Sequence, residues 1–451
     1  MAKTIQRKKK AAPLSVGLVA LGCAKNTVDL QVMAGHLLKA GFVLAPTPDE
    51  ADVILVNTCA FIESAREEAA AEILRACALK EAGQCRAVVV TGCFAQRYGD
   101  QIAEAFPGVD AVLGIDALNR IAGVMEALFP LKEGRRARVM VPPGMPKRVF
   151  SPPMPALRLT GSAFAYLKIA EGCAHRCAYC AIPAIRGHYR SRPVRALVAE
   201  ARALLETGVR ELNIIAQDPM MYGVDLKAGT TLVTLLKALD KLKGDFWIRV
   251  LYSYPSEITD DFLAWMNTSA HAVKYIDVPL QHTDPRVLRA MARGGAVKAT
   301  LGAAERLRQA VPGVTLRTTV MTGFPGETDE AFAKMLMDVN RMAFDHLGAF
   351  VFSPEEGTAA AEMADRPSKT VATKRMRQVM AAQRKIWSAK AKTYVGKTFR
   401  ALVTAPGTAR LPSQAPDVDG VVFVPEELPV GTFATVRIVR VHGFDFEAVS
   451  V

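Results

Sequence analysis

Three cysteines stand in the run Cys173-Ala-His-Arg-Cys177-Ala-Tyr-Cys180. Thiolates at this spacing can hold three irons of a 4Fe–4S cluster and leave the fourth iron without a protein ligand. An open iron is a place for a small molecule to bind and take an electron. Iron–sulfur electron carriers saturate their cluster with four cysteines, so a three-cysteine run points to chemistry rather than to carriage alone. The alternative is zinc, whose sites take four ligands and commonly use Cys-x2-Cys pairs at two places. Here the pair Cys177/Cys180 has Cys173 just upstream, and His175 is too close to Cys177 to make an easy fourth tetrahedral ligand.

A second set of cysteines is dispersed. Cys23 follows the apolar run Val16–Leu21, Cys59 follows Val53-Ile-Leu-Val-Asn-Thr58, and Cys93 follows Val88-Val-Val-Thr-Gly92. The carboxyl ends of adjacent strands in an open parallel sheet share one edge, where ligands bind. Three cysteines at three such ends can converge although more than thirty residues separate each from the next. They would form a second three-thiolate site, again with one metal position open. The alternative is three buried structural cysteines, which are common in cores. Of the other two, Cys77 shares a helical pattern with Ile73 and reads as core, and Cys85 reads as a bystander.

These residues need elements to position them. Residues 15–128 alternate strand and helix signals, with strands at Val16–Leu21, Val53–Val56, Ala87–Val90 and Val112–Ile115 and helices at Val28–Ala40, Ser64–Lys80 and near Gly99–Phe106. That pattern predicts an open parallel sheet with helices on its faces, over a domain at 14–130. Residues 131–160 hold six prolines with weak periodicity and read as a linker with at most a short hairpin. Six further strand–helix alternations follow, with strands near Ala165–Ala170, Leu212–Ala216, Trp247–Leu251, Tyr275–Val278, Thr315–Val320 and Leu347–Phe352. Consecutive right-handed βα units curl into a partial (β/α)6 barrel with its chemistry at the carboxyl ends of the strands. The Cys173 run sits just after the first of them. A basic amphipathic helix at 368–395 closes this second domain (161–395), with Val379, Met380, Ile386 and Trp387 recurring seven apart. Residues 396–451 give short β runs broken by Gly and Pro, a small all-β, barrel-like module.

Composition sets limits. The 451 residues are half hydrophobic, enough for two to four domains with sizeable cores. Eight cysteines in so long a chain are not a disulfide framework and read as metal binding in a reducing compartment. The basic start (Arg7, Lys8, Lys9, Lys10) and Ala20-Leu21-Gly22-Cys23 imitate a secretion signal, but Val16–Leu21 reads equally as a buried first strand with a helix pattern behind it. No stretch reaches the ~20 consecutive apolar residues of a membrane span, so the expectation is a cytoplasmic protein with no membrane partner. The formal charge of +13 is uneven: residues 369–400 carry ten Lys or Arg and no acid, whereas residues 401–451 carry three Arg and six acids. A basic helix face is either simply solvated or attracts nucleic acid or a ribonucleoprotein.

The Cys173 run, with Tyr179 before its last cysteine, resembles the signature of the radical S-adenosylmethionine (SAM) superfamily. With Cys23, Cys59 and Cys93 upstream and a β module downstream, the chain resembles the methylthiotransferase family from about Val16 to Val451. Within that family, Leu21-Gly-Cys-Ala-Lys-Asn-Thr-Val-Asp29, Ile215-Ala-Gln-Asp218 with Tyr222-Gly-Val-Asp225, Pro279-Leu-Gln-His282, Gly323-Phe-Pro-Gly-Glu-Thr328 and Gly348-Ala-Phe-Val-Phe-Ser-Pro-Glu-Glu-Gly357 are similar to the branch that acts on a ribosomal protein (the RimO type). The other branch acts on tRNA adenosine and usually carries Gln-Ser-Gly where this chain has Gln281-His282-Thr283. Two departures are Leu30, where a Ser is usual, and Arg410–Gln414. The acidic β module favours a basic protein partner over RNA.

The resemblance implies two 4Fe–4S clusters, one on Cys173, Cys177 and Cys180 that chelates SAM, and one on Cys23, Cys59 and Cys93 that supplies sulfur. It implies a TRAM-like β module and an external electron donor. The substrate would be an aspartate of ribosomal small-subunit protein twelve, methylthiolated at its β-carbon, on or near the ribosome. An unactivated C–H calls for hydrogen-atom removal by a cofactor-derived radical, so no side chain need act as acid or base. Tyr179 is the candidate to pack near the adenine of SAM. Gln217, Gln281 and Arg317, at or near strand ends, are candidates to bond its ribose or carboxylate, against the alternative of structural polar residues at a barrel mouth. A tRNA methylthiotransferase and a non-enzymatic iron–sulfur carrier remain as the competing functions.

Overall fold

The computed structural model describes residues 13–129, 138–141, 144–150, 157–161, 163–227 and 229–451. The basic start from Arg7 to Lys10 lies outside them. The chain divides into two compact units, the second formed mainly by Met154–Val451.

The first unit is an all-parallel six-stranded sheet: β1 (Ser15–Ala20), β2 (Val43–Leu44), β3 (Val53–Thr58), β4 (Ala87–Gly92), β5 (Ala111–Leu113) and β6 (Arg138–Met140), in the order β2-β1-β3-β4-β5-β6. The central strands β3 and β4 are buried along their whole length. Their near-continuous apolar runs are what a strand covered on both faces requires. Helices α1 (Ala24–Lys39) and α4 (Ile121–Leu128) cover one face through Leu30, Met33, Leu37, Ile121 and Met125. Helices α2 (Glu63–Glu81) and α3 (Cys93–Ala105) cover the other through Ile73, Cys77, Ala95 and Ile102. Cys77 is core, as its helical position predicts, and Cys85 joins the same cluster. One expectation is corrected: residues 138–140, within the stretch read as a linker, form the parallel edge strand β6 on β5. Three residues, with Pro142 and Pro143 close behind them, are too few to give a period.

In the second unit, β7 (Phe164–Lys168), β10 (Glu211–Ile215) and β11 (Trp247–Val250) form one parallel arc, and β12 (Tyr275–Asp277), β13 (Thr315–Thr322) and β14 (His346–Val351) form another. The arcs meet where Ser253 N–H donates to the Asp277 carbonyl (2.8 Å). The result is the six-stranded partial barrel. Its crossover helices are α6 (Val194–Glu206), α7 (Leu232–Leu239), α8 (Asp260–Thr268), α9 (Pro285–Ala290), α10 (Val297–Ala310) and α11 (Asp329–Met342). A two-residue pair, β8 (Ala170–Glu171) and β9 (Arg190–Ser191), and the one-turn α5 (Ile182–Arg186) frame the segment after β7. Side chains of Thr259, Asp284 and Thr328 cap the starts of α8, α9 and α11.

Helix α12 (Lys369–Lys392) is shared by two cores. Val379 packs with Val320, Phe332 and Met335 of the barrel, and Trp387 packs with Val436, Ile438 and Phe446 of the C-terminal module. That module is a closed barrel of β15 (Thr398–Ala405), β16 (Thr408–Arg410), β17 (Val422–Phe423), β19 (Asp445–Ser450) and β18 (Phe433–His442).

The loop between β16 and β17 plugs the amino-terminal end of the partial barrel. Arg410 pairs with the fully buried Glu211, the first residue of β10, which also accepts from Arg249 Nε of β11 (2.7 Å). Arg249 Nη1 donates to the Pro412 carbonyl (2.8 Å), and His346 Nε2 donates to that of Ser413 (2.7 Å). The hydroxyls of Tyr166 and Tyr275 donate to Asp417 (2.6 Å) and Asp419 (2.7 Å). The departing segment Arg410–Gln414 is turned inward, with Arg410, Leu411 and Gln414 buried.

Burial alone would raise the Glu211 carboxyl, but Arg410 and Arg249 override it and hold it below the usual carboxylate range. Glu211→Gln strands two buried guanidiniums, and breaking a buried pair costs about 3–5 kcal/mol. Thermal unfolding at neutral pH should therefore show a clearly lowered Tm. The charge contributes fully above the unfolded carboxyl value of about 4.3 and is lost as pH falls through the lower folded value. The Tm gap between the two proteins should close in acid, and a gap independent of pH would show that the carboxylate charge is not its source.

Candidate active site

Cys23, Cys59 and Cys93 stand at the carboxyl ends of β1, β3 and β4, three neighbouring strands of one parallel sheet. Cys23 is the N-cap of α1 and Cys93 opens α3. Two helix N-termini therefore point their positive dipole ends at this edge, which favours thiolate and an anionic cluster. Asn26 laces the ends together. Its Nδ2 donates to the carbonyls of Leu21 and Thr58 (3.0 Å each), and its own carbonyl accepts from Asn57 Nδ2 (2.7 Å). Cys93 Sγ lies 3.6 Å from Asn26 Oδ1. Gly22, at φ +93°, lets the backbone pass against Cys59: a Cβ there would stand 2.9 Å from the Cys59 Cβ and 3.2 Å from its Sγ.

The run from Cys173 to Cys180 leaves the end of β8 and is pinned at its base by the β8–β9 pair. Gly172 (φ +81°) brings the chain so close that a Cβ would fall 2.1 Å from the His188 carbonyl oxygen. Cys173 N–H donates to the Gly187 carbonyl (3.2 Å). Between the second and third cysteines, Ala178 N–H donates to the Met291 carbonyl (3.0 Å), while its own carbonyl accepts from Ala360 N–H (2.8 Å). The loop is thus held from the end of α9 on one side and from the segment after β14 on the other. Burial pushes the Cys173 thiol up to about 11 and the Cys180 thiol up to about 12. They keep their protons until a metal displaces them. Among the described residues, no three His, Cys, Asp or Glu groups are gathered tightly enough for a single metal ion. A cluster asks for a different arrangement, with thiolates standing around an iron–sulfur cube.

Around the carboxyl end of the barrel lie buried polar atoms with no hydrogen-bond partner among the described residues: Gln217 Oε1, Ser253 Oγ and Gln281 Oε1. Buried polar atoms are normally satisfied, so this group fits a polar ligand such as SAM. Gln281 holds φ +70° and Tyr252, which follows β11, φ +72°, sparsely populated backbone of the kind concentrated at functional sites. Gln217 Nε2 donates to Glu171 Oε1 (2.7 Å). Burial would raise the Glu171 carboxyl, but Lys168 and Arg186 hold it far below its ordinary value. Glu171 thereby becomes a fixed acceptor that orients Gln217.

The other two expected SAM contacts sit differently. Tyr179 stands edge-on to Phe324 (6.5 Å) in a small core with Met321 and Phe352, and anchors the loop there. Arg317 is the third residue of β13, far from that strand's carboxyl end. It faces Asp277 (3.6 Å) and Asp419 of the plug (3.4 Å). Its position is explained by the plug and gives no support to a SAM contact. Sequence reasoning missed four residues beside the loop: His175, Asp218, Tyr254 and Arg293. His175 lies inside the cysteine run and Asp218 ends the stretch Ile215–Asp218, so both were visible; nothing local marks Tyr254 or Arg293.

Residues 15–114 match the family described as uncharacterized protein family UPF0004, residues 167–339 the radical SAM superfamily, and residues 395–451 the TRAM domain. The chain is 39% identical to the ribosomal protein uS12 methylthiotransferase RimO of Opitutus terrae, over 96% of each chain. It is 41% identical to the RimO of Syntrophus aciditrophicus, over 96% of this chain and 98% of that one.

The chain belongs to the RimO family.

Another member of the RimO family, from Desulforudis audaxviator, is 41% identical over 97% of both chains. Among solved structures, the radical SAM methyltransferase TsrM of Kitasatospora setae superposes with a TM-score of 0.52 at 17% identity, covering 74% of this chain and 72% of that one. The cobalamin-dependent radical enzyme OxsB gives 0.53 at 14% identity, over 77% and 54%. These two likenesses concern the fold alone.

Gly22→Ala tests the first trio directly. The added Cβ would displace Cys59, so iron per reconstituted chain should fall from about eight to about four, the content of one 4Fe–4S cluster. 5′-Deoxyadenosine formation from SAM should persist. Undiminished iron would show that Cys59 holds none.

Proposed function

We propose that this chain adds a methylthio group to the β-carbon of an aspartate in ribosomal protein uS12, using SAM and two 4Fe–4S clusters. The observation that carries this reading is the pair of cysteine trios at strand carboxyl ends, in a chain about 40% identical to RimO proteins from end to end. Cys173, Cys177 and Cys180 hold one cluster, and Cys23, Cys59 and Cys93 hold the other. When bound, the first supplies the electron that cleaves SAM to a radical able to take a hydrogen atom from carbon, and the second supplies sulfur.

The remaining chemistry is positioning. Gly172 and the two backbone bonds at Ala178 fix the first trio before any cofactor arrives. Glu171 aims Gln217, and the strained Gln281 presents its amide from the opposite arc. The unpaired amides and hydroxyl at the mouth give SAM hydrogen bonds that water would otherwise take. The plug seals the far end of the barrel, so reactants approach from the carboxyl side.

Cys59→Ala should retain SAM cleavage and lose methylthiolation of uS12; product formed by this variant would end the sulfur-donor role. Mass spectrometry of ribosomal proteins and of tRNA from a strain lacking the gene separates the substrates. Loss of the methylthio mass from uS12 is expected, and loss from tRNA alone would establish the tRNA reading instead.

We further propose that the reaction takes place on or near the ribosome in the cytoplasm, fed by an external one-electron donor. No helix among the described residues is long and apolar enough to cross a membrane. On α12, Lys374, Arg377, Arg384, Lys385 and Lys392 are exposed, while Ala372, Val379, Gln383 and Trp387 are buried. A helix repeats every 3.6 residues, so these cations share the solvent face, with no acid on the helix to neutralise them. Such a stripe suits RNA phosphates. Changing all five to Gln should leave the rate on isolated uS12 unchanged and weaken binding to small ribosomal subunits. The salt dependence of that binding should flatten by about 0.7–0.9 in log–log slope for each phosphate no longer engaged. An unchanged slope would leave the stripe merely solvated.

A further inference from the structure

Arg293 is a cation in a place that ought to exclude one. It follows α9, is 3% exposed, and forms no ion pair with a carboxylate among the described residues. Guanidinium does not lose its proton in proteins, and an unpaired buried charge is costly. One of its nitrogens, Nη2, donates to the Pro279 carbonyl (2.9 Å). The other, Nη1, points at Cys177 Sγ (3.8 Å), and Nε is buried without a partner.

Its plane is fixed by a stack. The guanidinium carbon lies 4.1 Å from the centroid of the Tyr254 ring, which stacks on His175 at 3.8 Å and 13°. His175 in turn bonds Asp218 through Nε2 (2.7 Å). Asp218, at the end of β10, therefore holds an imidazole inside the cysteine run, and the imidazole and phenol hold the guanidinium against the middle cysteine. Two residues before Arg293, the Met291 carbonyl takes the N–H of Ala178. The turn after α9 thus grips the loop by backbone and by charge at once.

We propose that Arg293 is the counter-ion of the cluster on Cys173, Cys177 and Cys180, and that it raises that cluster's reduction potential. This deepens the proposed function and rests on that cluster being present. The step served is the transfer of one electron from the external donor to the oxidised cluster, which gains one negative charge, with no proton moved. A fixed cation hydrogen-bonded to a ligand sulfur stabilises the more negative state, and such bonds are among the determinants of cluster potential. Tyr254 and His175 are positioning residues for Arg293. Lys cannot replace it fully, because an ammonium neither forks nor stacks as a plane.

The test is a potentiometric titration, followed by electron paramagnetic resonance, of the full chain carrying Cys23→Ala, Cys59→Ala and Cys93→Ala so that one cluster is observed. In that background Arg293→Gln should keep about four irons and titrate at a lower potential, with Arg293→Lys between it and the parent. An unchanged potential in a fully loaded Arg293→Gln protein overturns the proposal. Should Arg293→Gln fail to hold iron, Arg293→Lys decides: recovery of the cluster supports the charge role. Failure of both, with native circular dichroism, shows that shape and not charge is what the site needs. A parent protein that itself holds no cluster would instead sink the underlying reading.

Discussion

A parallel strand cannot return to its neighbour through a tight turn; the chain must cross back, and every strand in the sheet then ends on the same edge. The rest of this molecule depends on that constraint. In the first unit it gathers Cys23, Cys59 and Cys93 from three separate βα corners. In the second it sets the cysteine loop, Gln217, Ser253 and Gln281 around one mouth of the six-stranded arc. Neither gathering needs a long loop to reach across space, so both are as rigid as the sheets that carry them.

The opposite edge of the second unit has the reverse chemistry. The barrel's strands carry ionisable or hydroxyl-bearing residues near their starts: Tyr166, Glu211, Arg249, Tyr275, Arg317 and His346. The β16–β17 loop meets them with Arg410, Asp417 and Asp419 and with its own carbonyls. Charges that would be costly alone are matched in pairs there. The mouth at the carboxyl side keeps its unpaired groups.

Much of this was readable in one dimension, for physical reasons. Strands β3 and β4 announce themselves because burial on both faces demands a near-continuous run of apolar or small residues. The cysteines of the first unit were found by what precedes them, not by their mutual spacing. Edge strand β6 was hidden by its length and by prolines. The place of Arg317 is not legible in this way, because a sequence does not say which end of an eight-residue strand a side chain serves; Asp419, about a hundred residues further on, makes that decision. Arg293 had no local signature at all, since its environment comes from β10, the turn after β11, and the cysteine loop together.

The sharing of α12 bears on how this architecture can be inherited. One helix supplies Val379 to the barrel core and Trp387 to the core of the β module, and the module's loop supplies the barrel's missing counter-charges. A module of this kind is not an appended cassette. Its exchange for that of a distant relative would have to carry the acids, the arginine and half a helix face with it.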